Sequence, residues 1–303
     1  VKKIFLFFTF FIANICATEL PKYLLSEEYV RSKKDLEIVF LDVGQGDCSF
    51  IKTPSGVTIL IDAGGSPYWL GEDAYDPGES VVVPYLKSRG ITTLDYVIVT
   101  HPHGDHFGGM FAVLKDLKVK SFIDNGYTEG DPNYKDLLDI VDKRNIPYEQ
   151  IKEGDVIEID KDVVIKVFYP LQKGFLFSDT NNSSIVFKLI YKNFSVLFTG
   201  DAEIDLENYL VNKHKKELSS TVLKVPHHGS RTSSSVKFIK TVNPQVAVIM
   251  CGRKNFFGHP HNETVSRYNK LSIDLYITAQ EGNVIVLSNG EMFTVFTQKE
   301  NGY

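Results

Sequence analysis

Thr100-His101-Pro102-His103-Gly104-Asp105-His106-Phe107-Gly108-Gly109 follows the apolar run Tyr96-Val97-Ile98-Val99 and places four potential metal ligands within six residues. The apolar run closing on a glycine-rich turn reads as a buried strand that ends at this stretch. A strand end sets side chains at the open edge of a sheet, and glycines let the backbone turn sharply enough to aim neighbouring side chains at one point. Imidazole nitrogen with carboxylate oxygen suits Zn²⁺ and, with more oxygen, Mn²⁺ or Fe. The stretch therefore predicts a metal site, and a two-metal one.

Upstream, Leu36-Glu37-Ile38-Val39-Phe40-Leu41-Asp42-Val43 reads as a buried strand followed by Gly44-Gln45-Gly46-Asp47. A second strand over 48–52, a turn at Thr53-Pro54-Ser55-Gly56 and a third strand over 57–61, closing on Asp62-Ala63-Gly64-Gly65, complete an antiparallel meander. A polar, aromatic loop over 66–80 with Tyr68, Trp69 and Tyr75 comes next. Helical spacing returns over 80–89, with Gly90 as its cap, and again over 107–117 and 134–144. The second half opens on Ser178-Asp179-Thr180-Asn181-Asn182-Ser183-Ser184 before a strand over 185–191, and a strand over 195–199 runs into Gly200-Asp201. A strand over 221–225 ends at Pro226-His227-His228-Gly229-Ser230-Arg231, and Gly258-His259-Pro260-His261 follows a strand over 246–251. Strands near 275–278, 284–287 and 293–296 are expected to finish a second meander.

Length and composition agree with one large domain. Of 303 residues 43% are apolar, with 21 Phe and 15 Tyr, enough for a sizeable core, which excludes disorder. The net charge of -5 lacks the basic excess of a stand-alone nucleic-acid binder, without excluding an enzyme whose metal ions meet a phosphate. Residues 1–17 carry two lysines, an apolar run and small residues at Ala13 and Ala17, the layout of a signal peptide. The expectation is an exported, extracytoplasmic protein with no stable membrane insertion after cleavage, an uncleaved N-terminal anchor being the alternative. Residues 18–35 form a lead-in and 36–303 the domain. Cys48 and Cys251 lie in apolar runs and read as small buried hydrophobes.

The His-X-His-X-Asp-His pattern resembles the signature of the metallo-β-lactamase fold superfamily, and LDVGQGDCSFI with ILIDAGG resembles the hydrolase domain of ComEC-like competence proteins. The resemblance runs from about Leu36 to the end. It implies an α/β fold, an αββα sandwich with the metals at one edge between its two sheets. His101 and His103 would hold the first ion, and Asp105 and His106 the second. Asp201 of Thr-Gly-Asp would bridge them, and a histidine of the His227-His228 pair would complete the second site. The form of that motif in RNase Z favours His227, leaving His228 as a neighbour, a substitute ligand or a proton donor. Asp62 would orient the histidine loop, with Asp47 shaping the same floor. Most members carry a further histidine near 181, and here the run has none, so Asp179, Asn181 or Asn182 would approach the first ion or hold a water. His259 is a second candidate proton donor, and Asp105 would orient the nucleophile.

The activity implied is hydrolysis of a phosphodiester by a hydroxide that two divalent ions, Zn²⁺ foremost, then Mn or Fe, make available at neutral pH. DNA is the first substrate expected. A phosphocholine or teichoic-acid ester of the cell wall is the second, since phosphorylcholine esterases share the fold. A binding protein that keeps its metal for structure is the third reading.

Overall fold

Leu36, Ile38 and Phe40 face one apolar layer while Val39 and Leu41 face another, so the first strand is covered on both sides. Period-two alternation with apolar residues in both phases demands that arrangement. A computed structural model of the chain describes residues 35–65 and 75–299. The leader over 1–17, the rest of the lead-in to 34, and Tyr68 and Trp69 lie outside the described residues.

Two sheets carry the fold. The first runs, neighbour to neighbour, Phe293–Thr297, Val284–Ser288, Leu36–Phe40, Ser49–Lys52, Thr58–Ile61, Tyr96–Ile98, Phe122–Asp124 and Tyr148–Gln150. It is antiparallel as far as Thr58–Ile61 and parallel beyond. The second runs Asp274–Ile277, Val246–Ile249, Val222–Lys224, Phe194–Phe198, Val186–Tyr191, Val163–Tyr169 and Val156–Asp160, parallel over its first four strands and antiparallel over the rest. One apolar layer, with Phe40, Ile51, Ile98, Phe187 and Phe198, lies between the sheets. Helices Val83–Ser88, Met110–Asp116 and Tyr134–Lys143 cover the outer face of the first sheet, and Ile204–His214, Val236–Val242 and Asn262–Lys270 that of the second. This is the expected αββα sandwich.

The C-terminal end departs from expectation. Asp274–Ile277 closes the second sheet, but the last hairpin crosses to the first and pairs with Leu36–Phe40 instead of finishing a second meander. Without that hairpin, an apolar strand would present an unpaired edge. The helix expected over 107–117 is broken into Gly104–Phe107 and Met110–Asp116. The break lets backbones meet: a β-carbon on Gly108 would lie 2.6 Å from the Gly104 carbonyl oxygen and 2.9 Å from Gly65 Cα. Gly46, at φ +130°, likewise has no room for a side chain because the Asp105 carbonyl faces it. The glycines of both early turns thus bring the histidine loop against the meander. Cys48 and Cys251 are buried and unbridged.

Phe187 stacks on Phe198 at 5.1 Å between ring centroids, and Phe198 meets Phe40 of the other sheet at 6.2 Å. Replacing Phe187 by Ala should cost about 3–5 kcal/mol through lost burial and the cavity left behind. Urea unfolding checks this, and a loss below about 1 kcal/mol would mean the layer is not closely packed.

Candidate metal centre

The site gathers at the carboxyl ends of the parallel strands, where an open α/β sheet leaves loops free to converge. Thr58–Ile61 delivers Asp62, Tyr96–Ile98 the histidine loop, Phe194–Phe198 Asp201, and Val222–Lys224 the His227-His228 pair. Two groups of side chains result: His101, His103 and Asp201, and Asp47, His106, Asp201 and His228. Within each, potential ligand atoms lie within 4.8 Å of one another. Asp201 belongs to both. Its Oδ1 is 3.2 Å from His106 Nε2, and its Oδ2 is 3.3 Å from His228 Nε2 and 3.8 Å from His101 Nε2. Ligands around one tetrahedral ion with bonds near 2.1 Å stand about 3.4 Å apart, so these separations suit shared cations.

The donors fit that reading chemically. His106 Nε2, His228 Nε2 and Asp201 Oδ1 are buried and have no hydrogen-bond partner. Each such orphan costs about 1–3 kcal/mol, so three turned towards one another call for a cation between them. The other ring nitrogens are already engaged: His106 Nδ1 faces Asp62 Oδ2 at 2.9 Å, and His228 Nδ1 meets the Met250 carbonyl at 3.0 Å. Such outer contacts fix the tautomer that leaves Nε2 to an ion. Asp62 also accepts hydrogen bonds from the Thr100 amide and hydroxyl, at 2.8 and 2.7 Å, which ties it to the start of the histidine loop.

Several expected placements change. His228, not His227, enters the second group. Both residues have left-handed backbones, φ 51° and 50°, which splay the rings apart, His228 inward and His227 to the wall of the cleft. Two adjacent non-glycine residues in this region are rare and strained, a condition met mainly at functional sites. His227 Nδ1 lies 3.1 Å from Glu203 Oε1, and its Nε2 is 3.8 Å from Asp201 Oδ2, beside the first group. Asp105 stands at the mouth with Oδ2 3.3 Å from His228 Nε2. Asn182 is spent on the framework: its amide and side chain donate to Asp179, and its Oδ1 accepts from the Glu203 amide at 2.9 Å. Asn181 lines the cleft.

His259 stacks on Phe257 at 5.6 Å, with the rings of His227 and His228 at 5.4 and 6.0 Å. Burial, then the charges of His228 and His227, push its pKa down to about 3. Burial and those neighbouring charges disfavour a protonated ring at this position. His261 accepts from the Arg231 amide at 3.1 Å, a loop contact.

Three side chains escaped the sequence reading. Ser184 Oγ accepts from the Asp201 amide at 2.8 Å and lies 3.2 Å from His101 Nδ1, tying the first group together. Glu203 backs His227. Lys224, 2% exposed, pairs with Asp47 and donates to the Gly200 carbonyl at 3.0 Å. A charge inside the apolar run Val222-Leu223-Lys224-Val225 was the available signal. In front of the centre opens a cleft of about 450 Å³, walled by Tyr127, Glu129, Ser178, Thr180 and Phe257.

The sequence model of the metallo-beta-lactamase superfamily matches residues 41–253, and the chain belongs to that superfamily. Within it, the chain is similar to competence-related proteins. It is 32% identical over 255 residues to ComE operon protein 3 of Bacillus subtilis (strain 168), covering 82% of this chain and 32% of that one. It is 30% identical over 258 residues to Recombination protein 2 of Haemophilus influenzae, covering 84% and 29%. The chain thus spans about a third of the length of these curated relatives. Among solved structures, the metallo-beta-lactamase fold protein YhfI of Bacillus subtilis superposes with a TM-score of 0.52 at 13% identity, over 84% of this chain and all of that one. That likeness shows the fold.

Burial opposes charge on His106 and His228, but Asp201 with Asp62 for the first, and Asp201 with Asp47 for the second, outweigh it and hold both pKa values well above 6.5. The neighbouring carboxylates favour the protonated rings, and an entering cation must displace those protons. Apparent affinity for a divalent ion should therefore rise between pH 6 and 8, with protons released. Calorimetry in buffers of different ionisation enthalpy measures this, and a pH-independent affinity without proton release would contradict it.

Proposed function

We propose that the chain is a metal-dependent phosphodiesterase that cleaves a nucleic-acid strand, working outside the cytoplasm. The single observation that carries the hydrolytic reading is Asp201, a carboxylate common to both groups of metal-binding side chains, with Oδ1 beside His106 and Oδ2 between His228 and His101. The name of one relative, which speaks of recombination, supports DNA as the substrate. So does the loop Arg253-Lys254-Asn255-Phe256-Phe257: Phe257 lines the cleft and Phe256 is 93% exposed beside two basic residues, a combination suited to stacking bases and meeting phosphates.

His101 and His103 with Asp201 would hold one ion, and His106 and His228 with Asp201 and Asp105 the other. Bound there, the ions supply Lewis-acid polarisation of the phosphoryl group and an activated water. The protein does the rest. Asp62 and Ser184 fix the ligand rings of His106 and His101, and Glu203 backs His227. Asp105, whose carboxyl is held far below the usual range because the His228 contact and the charges of His106 and His228 outweigh its burial, stays an acceptor that orients the nucleophile. His227, backed by Glu203 and facing the cleft, is placed to pass a proton to the leaving oxygen. Zn²⁺ suits the nitrogen-rich donors best, with Mn and Fe as alternatives.

One observation favours the cell-wall reading. Glu129 and Asp131 line the cleft beside Tyr127 and Phe257, and no Lys or Arg does among the described residues, which suits the cationic head of a phosphocholine ester. Export rests on residues 1–17; no helix among the described residues is long and apolar enough to cross a membrane.

The metal-loaded protein should release nucleotides from single-stranded DNA faster than from duplex, and Asp201→Ala should lose at least about a hundredfold in rate, beyond the usual effect of an outer-shell change. Phe256→Ala and Phe257→Ala should each weaken strand binding by about 1–3 kcal/mol while sparing bis-p-nitrophenyl phosphate turnover. Release of phosphocholine from wall polymer, with DNA untouched, would establish the second reading; two bound ions without turnover of any phosphodiester would leave a binding protein.

A further inference from the structure

Beneath the second group of ligands lies a feature that neither the family motif nor the proposed reaction uses. Lys224 is fully enclosed, its ammonium paired with Asp47 Oδ2, bonded to the Gly200 carbonyl at 3.0 Å and 3.9 Å from Asp201 Oδ1. Asp47 in turn puts Oδ1 3.2 Å from His228 Nδ1 and Oδ2 3.8 Å from His106 Nδ1. The Asp47 carboxylate could itself reach an ion, since its oxygen lies within 4.8 Å of the donors of His106, Asp201 and His228. Its Oδ2 is taken by the lysine, and its contacts with both rings are on their Nδ1 side.

We propose that Lys224 is the charge-setting residue of the centre: it keeps Asp47 as a prop beneath the histidines, not a ligand, and gives the loaded site the net positive charge that selects an anionic ester. The charge balance is simple. Asp47, Asp62, Asp105 and Asp201 are the four carboxylates that touch His106 or His228, and two divalent ions would cancel them. The ammonium of Lys224 is the charge left over, in a buried setting where little solvent screens it. Its bond to Gly200 also fixes the turn that aims Asp201. Lysine serves here as a compact point charge on an apolar stem that packs within the strand. A freed Asp47 would add an oxygen ligand and move the site's preference from Zn²⁺ towards Mn²⁺.

This assignment rests on the two-ion phosphodiesterase reading, and the test separates the two. The full chain is loaded with Zn²⁺ or Mn²⁺, both affinities are measured, and inorganic phosphate serves as the anion probe by calorimetry. Lys224→Met should weaken phosphate binding about ten- to a hundredfold and raise the affinity for Mn²⁺ relative to Zn²⁺. Lys224→Arg should stay close to the parent protein. Combining Lys224→Met with Asp47→Asn removes both charges, restores the net positive charge and should bring phosphate affinity back. If Lys224→Met alone does not fold, the double variant carries the test. Phosphate affinity in Lys224→Met equal to that of the parent, or a double variant as weak as the single one or weaker, overturns the proposal and leaves the two-ion reading standing. A parent protein that takes up no divalent ion overturns both.

Discussion

The structure depends on one electrostatic constraint: Asp47, Asp62, Asp105 and Asp201 all meet the rings of His106 or His228, three of them buried, and four carboxylates around two rings demand cations. Lys224 and the raised pKa values of His106 and His228 meet part of that demand in the metal-free protein. Divalent ions would meet it more fully, and the unpartnered nitrogens and oxygen of His106, His228 and Asp201 form the place that suits them. The architecture serves this gathering. Each sheet changes from antiparallel to parallel pairing, and the ends of the parallel strands deliver the charged loops to one edge.

Much of this was legible in the sequence because it is local. The His101 to His106 cluster, Asp62 after its strand and Asp201 after its glycine are fixed by spacing within a few residues, and an apolar run that stops at a glycine-rich turn announces a strand end. The alternation in 36–41 likewise announced a strand covered on both faces. The His227-His228 pair was harder, since which ring turns inward depends on a left-handed backbone at both positions, and spacing carries no sign of φ.

What stayed hidden depends on contacts between distant strands. Lys224 meets Asp47 across 177 positions of sequence, Ser184 meets His101 across 83, and Glu203 backs His227 where the Asn181-Asn182 turn and the Thr232 hydroxyl hold it. The crossing of the last hairpin to the first sheet has the same origin: its apolar pattern permits either sheet, and the open edge of Leu36–Phe40 decides. The run that lacks the family's further histidine is explained by the same contacts, since its polar side chains hold Glu203, Asp201 and His101 in place.

X-ray absorption at the metal edge of the Zn²⁺-loaded protein tests the central claim most directly. The account predicts a metal-metal distance of about 3.5–4 Å with imidazole nitrogen around both ions and a shared carboxylate between them. A single ion per chain, or ions without a metal neighbour at that distance, would contradict it.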